Sequence, residues 1–417
     1  DSWIEAGSAS FAERHFPFNS EEKLEDFFPP DFIAEYTGQI RAWFYVLHVI
    51  GGALYDSPAF KNVVVEGVIL GTDGRKMSKN YGNFPDPKKL IEEFGGDALR
   101  MYLLGSPVMN GEDIRISEVD YRDQVRGTLL IMWNVYNFFV TYANNDNWKP
   151  TQEKSVPKNP LDRWILSKGN RLVLDVTEEL DGYDTAGAIT KIKKFVDELS
   201  TWYIRRSRDR VGVSVIDEND RDEFYASCYM VLSTLCKVIA PVTPFISEEI
   251  FRNLTDKESV HIEFWPDVDK SLIDTSLESE MSMAMELSSV INSFRKEHQL
   301  KVKIPIKMLE YSGSQLSDEI LNIVRQETNV EKLEFKSTSE NFEVNGDTSE
   351  SNLNIEAGMA RDIIRSIQKK RKELGTTMSQ MVIVTLPSWP KAYEEDIKKK
   401  AMVETLQIGD NFEVKIS

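Results

Sequence analysis

Between residues 63 and 104 the chain passes from β-branched residues through a short polar loop into a helical pattern. This passage constrains the fold more than any other. Val63-Val64-Val65-Glu66-Gly67-Val68-Ile69-Leu70 is an apolar run suited to a strand. Gly71-Thr72-Asp73-Gly74-Arg75-Lys76-Met77-Ser78-Lys79-Asn80-Tyr81-Gly82-Asn83 follows, flanked by glycines and carrying two lysines three residues apart. Pro85, Asp86 and Pro87 punctuate its far side, and a helical pattern covers Lys88–Leu104. A lysine ammonium is a compact charge with rotatable donors, which suits a triphosphate. It stabilises charge that develops as a phosphoryl bond breaks. A bare K-x-x-K equally describes a solvated basic turn, so the longer string must carry the distinction.

That string, G-R-K-M-S-K-N-x-G-N-x-x-D-P, resembles the lysine signature loop of class I aminoacyl-tRNA synthetases. Two upstream blocks narrow the resemblance to the isoleucyl-tRNA synthetases. Asp1-Ser2-Trp3-Ile4-Glu5-Ala6-Gly7-Ser8 is similar to D-x-W-F-[DE]-S-G-S, with Ile4 and Ala6 replacing the commoner Phe and Ser. Glu35-Tyr36-Thr37-Gly38-Gln39-Ile40-Arg41-Ala42-Trp43-Phe44 is similar to E-[GY]-x-[DAG]-Q-x-R-[GA]-W-F, whose residues contact the aminoacyl-adenylate. The block follows an expected strand and opens an expected helix, Gln39–Leu54. In doubly wound α/β folds ligands sit at such strand ends. Glu35 there can receive an ammonium, Gln39 a ribose or carbonyl, and Trp43 can wall an aliphatic pocket or serve only as core. Gly38 replaces an aspartate frequent in one branch, so that polar contact does not carry over. His48-Val49-Ile50-Gly51 has the outline of the class I H-I-G-H signature. A helical pattern precedes it and Gly52 stands where the second histidine belongs, so His48 reads as an ordinary helix residue.

Leu90–Tyr102 resembles the helix–G-x-D-A-L-R–helix stem that leads from the catalytic domain to the anticodon domain; physically it is two helices broken at Gly95-Gly96, with Asp97 as N-cap. Residues 119–255 then read as nearly all helix, over Tyr121–Tyr142, Leu161–Leu180, Ala186–Arg210, Asp220–Ile239 and a last segment ending near Leu254. Short connections make this an antiparallel bundle. Asp197–Arg210 resembles the D-x-L-S-x-W-Y-x-R-R-S-R block of isoleucyl anticodon domains. Trp202, Arg205, Arg206, Arg208 and Arg210 would supply stacking and phosphate charge for RNA. Arginines in a last turn also complement the helix dipole.

From residue 269 strands alternate with helices: strand Ile306–Tyr311, helix Asp318–Glu327, strand Val330–Phe335, a polar gap 336–351, helix Met359–Leu374, strand Met381–Leu386 and helix Ala392–Leu406. No repeats are evident. The fold class is therefore mixed: the C-terminal part of a Rossmann-like α/β domain over 1–70, the lysine loop and stem helices over 71–118, an all-α anticodon-binding bundle over 119–268, and a small α+β domain over 269–417.

A hydrophobic content of 41% and no apolar run of about 18 residues point away from a membrane protein. Cys228 and Cys236, on an apolar helical pattern, read as core thiols in a reducing, cytoplasmic setting, with no protein-ligated metal expected. The net charge of −18 argues at first sight against nucleic acid, but local clusters matter more than totals. The chain opens without Met or a signal pattern and reads as part of a longer protein.

The resemblance implies a two-step reaction: isoleucine and ATP, with Mg2+, give isoleucyl-adenylate and pyrophosphate, and the isoleucyl group passes to tRNA(Ile). Lys76 and Lys79 would hold the triphosphate, with Met77 and Ser78 packing the loop toward adenine. Glu35, Gly38, Gln39 and Trp43 would line the adenylate site. A monomer is expected. The alternatives are a non-catalytic tRNA-binding module and a valyl-type enzyme of the same class.

Overall fold

A computed structural model describes residues 2–417 apart from Ser20, Lys79, 152–155, 213, 214, 216 and 378. The chain forms two compact units. The first gathers Asp1–Tyr136, Gly169–Ser200 and Leu232–Val268; the second gathers Asn137–Lys168, Thr201–Val231 and Asp269–Ser417. The helical stretch is thus shared between the units rather than kept whole.

In the first unit, short helices α1 (Ser2–Gly7) and α2 (Ala9–Ala12) precede β1 (Phe32–Tyr36), helix α3 (Trp43–Tyr55) and β2 (Asn62–Glu66). The two strands pair in parallel with Glu35 opposite Val65. Phe44, Leu47 and Ala59 form the core beneath them, with Ile33, Trp43, Phe60 and Val65 packed around it. The expected helix from Gln39 begins instead as a 3-10 turn over Thr37–Arg41, the α-helix starting at Trp43. His48 lies in the middle of α3, exposed, its ring 4.7 Å from that of Phe60. β3 (Ile69–Leu70) pairs in parallel with β4 (Ile114–Arg115).

Between those two strands run α4 (Pro87–Phe94) and α5 (Gly96–Leu104). The Asp86 side chain accepts from the Lys88 N–H, and Pro87 sits in the first turn where its missing donor costs nothing. Gly95, at φ +83°, makes the break. Asp97 is not the N-cap of α5. It sits inside the first turn, and its carboxylate accepts from Ile246 N–H at 2.7 Å and Phe245 N–H at 3.1 Å. Those amides open α11 (Pro244–Thr255), whose own N-cap, Thr243, makes no side-chain bond to them and donates its hydroxyl to the Ile239 carbonyl instead. A helix start leaves amides unsatisfied, and here a distant residue satisfies two. Burial pushes the Asp97 carboxyl above its ordinary range, while the two amides oppose the shift. One turn on, Arg100 donates to the carbonyls of Val242 and Pro241.

The other helices of this stretch are α6 (Glu118–Gln124), α7 (Leu130–Asn145), α8 (Pro160–Asp181), α9 (Thr185–Glu198) and α10 (Glu218–Ile239). Two departures from regular pitch are π-turns, over Val125–Leu129 and Leu199–Ile204. The segment expected as one helix to Arg210 therefore runs α-helically to Glu198, through the π-turn to Ile204, as α-helix again at Arg205 and Arg206, and into a 3-10 turn over Arg208–Arg210. Cys228 and Cys236 are buried free thiols on α10, and burial raises the pKa of both. Among the described residues, no helix is long and apolar enough to cross a membrane.

The end of the second unit holds α12 (Thr275–Glu297), β5 (Ile306–Ser312), α13 (Asp318–Thr328), β6 (Val330–Ser337), β7 (Glu343–Asn345), α14 (Ile355–Glu373), β8 (Val382–Leu386), α15 (Glu394–Ala401), β9 (Val403–Ile408) and β10 (Glu413–Ile416). They make two three-stranded sheets, ordered β6–β5–β7 and β10–β8–β9. Two expectations need correction. The polar gap contains β7, and the helix expected through Leu406 stops at Ala401, where Met402 turns left-handed at φ +52°. Beyond it Val403 is buried and Glu404 and Thr405 are exposed, a short edge strand that a helical count had absorbed.

Candidate functional site

The lysine loop is organised by a residue that composition alone does not flag. Asn83 is almost completely buried and donates its side-chain amide to Asp73 Oδ1 at 2.9 Å and the Lys76 carbonyl at 3.3 Å. Its own side-chain oxygen accepts from Ser78 N–H at 3.0 Å. Asp73 also accepts from the Arg75 backbone N–H and guanidinium. The bond from Asn83, then those from Arg75, hold its carboxyl down at about 2. Gly71 must be glycine, because a Cβ there would lie 2.2 Å from the Asn83 carbonyl oxygen. The signal for this hub was a short polar residue closing a glycine-rich turn beside an aspartate at its opening.

Held this way, Lys76 reaches the carboxyl end of β1. Its ammonium lies 5.9 Å from the centre of the Tyr36 ring, an outer-range cation–π contact. Loop and strand-end block, read separately in sequence, thus meet. Tyr36 lies over Gly38, where a Cβ would come within 2.4 Å of the ring. Glu35 is half-buried and accepts from the Tyr36 N–H. Gln39 turns its side-chain oxygen to the Trp43 N–H at 3.2 Å and so starts α3. Trp43 is also half-buried, its indole N–H donating to the Ala6 carbonyl at 2.9 Å. Met77 and Ser78 are partly buried and Lys76 exposed. Lys79 lies outside the described residues.

The arginine-rich segment, in the second unit, differs from its sequence reading. Trp202 is a core residue whose indole N–H donates to Met281 Sδ, and it offers no face for stacking. Tyr203 is fully buried and donates to Asp162 Oδ1 at 2.6 Å. Arg210 is bound between Asp162, at 2.5 Å, and Asp220, at 2.8 Å. Arg205 and Arg206 both grip Glu327 of α13, whose side chain is 5% exposed. Among the described residues, Arg208 is the one of the four that stands exposed with no such contact. The physical reason is the π-turn at Leu199–Ile204. An added residue per turn shifts the phase of everything after it, so a 3.6-residue count misplaces the faces. Asp162, Asp220 and Glu223 have carboxylates close enough to share a cation, and the Arg210 guanidinium already fills that role for two of them.

Two stretches of the chain match known protein families. Residues 1–117 match the family model of class I tRNA synthetases (I, L, M and V), and residues 162–310 match that of the anticodon-binding domain of tRNA ligases. The second match continues past the boundary expected at 268. The fold is similar to that of a LeuRS–tRNA–LeuAMS complex from Agrobacterium radiobacter K84, with TM-score 0.53 and 16% identity over 81% of this chain and 41% of that one. It is also similar to Mycobacterium tuberculosis methionyl-tRNA synthetase bound to methionyl-adenylate, with TM-score 0.50 and 20% identity over 60% of this chain and 48% of that one. The chain carries catalytic-domain and anticodon-binding sequence of the class I tRNA synthetases. Within them it is a partial-length homologue of the isoleucine–tRNA ligases. It is 39% identical to that of Treponema denticola over 81% of this chain, and 40% identical to that of Chlamydia trachomatis serovar L2 over 82%. It spans about a third of the length of these relatives, 32% and 34%.

Proposed function

We propose that the full-length protein is an isoleucine–tRNA ligase, which activates isoleucine with ATP and Mg2+ and transfers it to tRNA(Ile). The observation that carries this reading is the approach of Lys76 to Tyr36, which joins the phosphate-suited loop to the adenylate block Glu35–Trp43. Residues 1–70 end the catalytic domain and 71–118 form its loop and stem. Residues 119–268 form the anticodon bundle, and 269–417 a further domain. Lys76 and Lys79 hold the triphosphate as pyrophosphate departs, with Met77 and Ser78 seating the loop. Glu35 and Gly38 border the adenylate, while Gln39 and Trp43 shape its pocket from behind, their polar atoms being engaged within the fold. The protein acts as a cytoplasmic monomer. These 417 residues supply part of the ATP site and tRNA contact.

The test is pyrophosphate exchange by the full-length protein with isoleucine or valine as substrate. Isoleucine is expected to support exchange at lower concentration than valine by a factor of 10 to 200, the discrimination roughly available from one methylene. Equal use of both, or preference for valine, would identify a valyl-type enzyme instead.

For tRNA, Arg208 is the member of the arginine cluster free to meet phosphate, and Trp202, Arg205, Arg206 and Arg210 support its surroundings. Arg208→Glu is expected to weaken tRNA binding and to flatten its salt dependence, with an unchanged melting temperature. Filter binding at two salt concentrations checks this. A variant with the wild-type affinity and salt slope would remove this helix end from the RNA contact.

A further inference from the structure

The two C-terminal sheets share more than a strand count. Each is built by a helix, a strand, a second helix, a strand parallel to the first and a last strand antiparallel to it. In each the first strand is central: β5 lies between β6 and β7, and β8 lies between β9 and β10. Helix α13 ends on a left-handed Asn329 and α15 on a left-handed Met402, each directly before its parallel strand.

The correspondence extends to side chains. The leading helices carry Ala284, Ile291 and Arg295 in one case and Ala360, Ile367 and Arg371 in the other, at identical spacing and all buried. Both arginines continue as Arg-Lys-Glu. A buried arginine needs partners for its donors, and both find one matching pair, while Arg295 also donates to the carbonyls of Thr328 and Asn329 at the end of α13. Arg295 donates to the carbonyls of Lys301 and Ile304, the fifth and second residues before β5. Arg371 donates to the carbonyls of Thr377 and Gln380, the fifth and second before β8. Ile306 opens β5 opposite Val330, and Val382 opens β8 opposite Val403. The parallel strands read Val330-Glu331-Lys332-Leu333 and Val403-Glu404-Thr405-Leu406, and Asn-Phe-Glu-Val introduces both last strands, at 341–344 and 411–414. The last strands differ in register, Val344 facing Tyr311 while Val414 faces Val384.

We infer that residues 275–345 and 355–416 are two copies of one module, a tandem duplication within the C-terminal domain, with Arg295 and Arg371 as its equivalent buried pins. Each arginine is a positioning residue that fastens the end of its helix to the loop entering the central strand. The copies have since parted in role. In the first, Glu327 of α13 holds Arg205 and Arg206; the matching residue of α15, one turn-position before the buried Ala401, is Lys400. The second copy closes a core of its own, from Ala360 through Ile367, Val382, Val384, Ile397 and Val403 to Val414. The repeat escapes the sequence because matched positions are few and lie in loops, strand starts and one arginine rather than in a continuous string.

Interchangeability in a single register tests the inference. In the whole chain, residues 360–381 are replaced by the sequence of 284–305, which has the same length and brings Ala284, Ile291 and Arg295 onto Ala360, Ile367 and Arg371. A control carries the sequence of 282–303 at the same place, which displaces every buried position. Amide hydrogen exchange over β8, β9 and β10 is the readout. The in-register chimera is expected to keep at least a tenth of the wild-type protection factors there, and the displaced control to lose them. Loss in both, or retention in both, overturns the duplication. Arg295→Met and Arg371→Met provide a second measurement. Each is expected to raise exchange at 299–305 or 376–381 respectively, and an effect confined to one of the two arginines would overturn their equivalence.

Discussion

In the full-length protein, Lys76→Ala is expected to slow isoleucyl-adenylate formation about a hundredfold or more while isoleucine affinity barely changes. The ammonium is exposed and lies 5.9 Å from the Tyr36 ring, and the proposed function gives it a triphosphate to meet rather than the amino acid. Its interaction strengthens as charge builds on departing pyrophosphate, and contacts of that kind lower turnover rather than ground-state binding. Loss of one preorganised charge contact costs on the order of 3 kcal/mol, which sets the hundredfold scale. Lys79→Ala is expected to act in the same direction. Single-turnover measurement of adenylate formation decides the matter, and an unchanged rate in both variants would take the loop out of the chemistry.

Arg210→Met is expected to destabilise the second unit by about 3–5 kcal/mol, the usual cost of removing one partner from a buried ion pair. Asp162 would be left with the Tyr203 hydroxyl alone, in a site fully closed to solvent. Burial already pushes the Asp162 carboxyl upward against the restraint of Arg210, so without that restraint it takes up a proton. Urea unfolding followed by tryptophan fluorescence reads the loss. A change under about 1 kcal/mol would place this pair among ordinary surface ion pairs.

What the sequence made legible was whatever depends on short, contiguous strings. The lysine loop, the Glu35–Trp43 block and the break at Gly95 are local, and each lies where its string placed it. Features that depend on residues far apart were not legible. Asp97 looks like the cap of its own helix because the helix it does cap begins at Pro244, and nothing nearby reports that. The arginine cluster looks like an RNA face because a helical count assumes constant pitch, and the π-turn at Leu199–Ile204 breaks that assumption just before it. Asn83 was passed over because its partners, Asp73 and Ser78, have meaning only once the loop has closed. The local conformation of a short string survives translation into structure better than a face inferred from helical pitch.

The carboxylate of Asp97 has a mechanical consequence. Apolar contact between two helices is non-directional and assigns no particular atom of one helix to a particular atom of the other. A carboxylate engaged by two successive amides has one position that satisfies both, and Arg100 adds two carbonyls to the same seam. Helix α5, past the break at Gly95, and the start of α11 are therefore geared: turning either one turns the other.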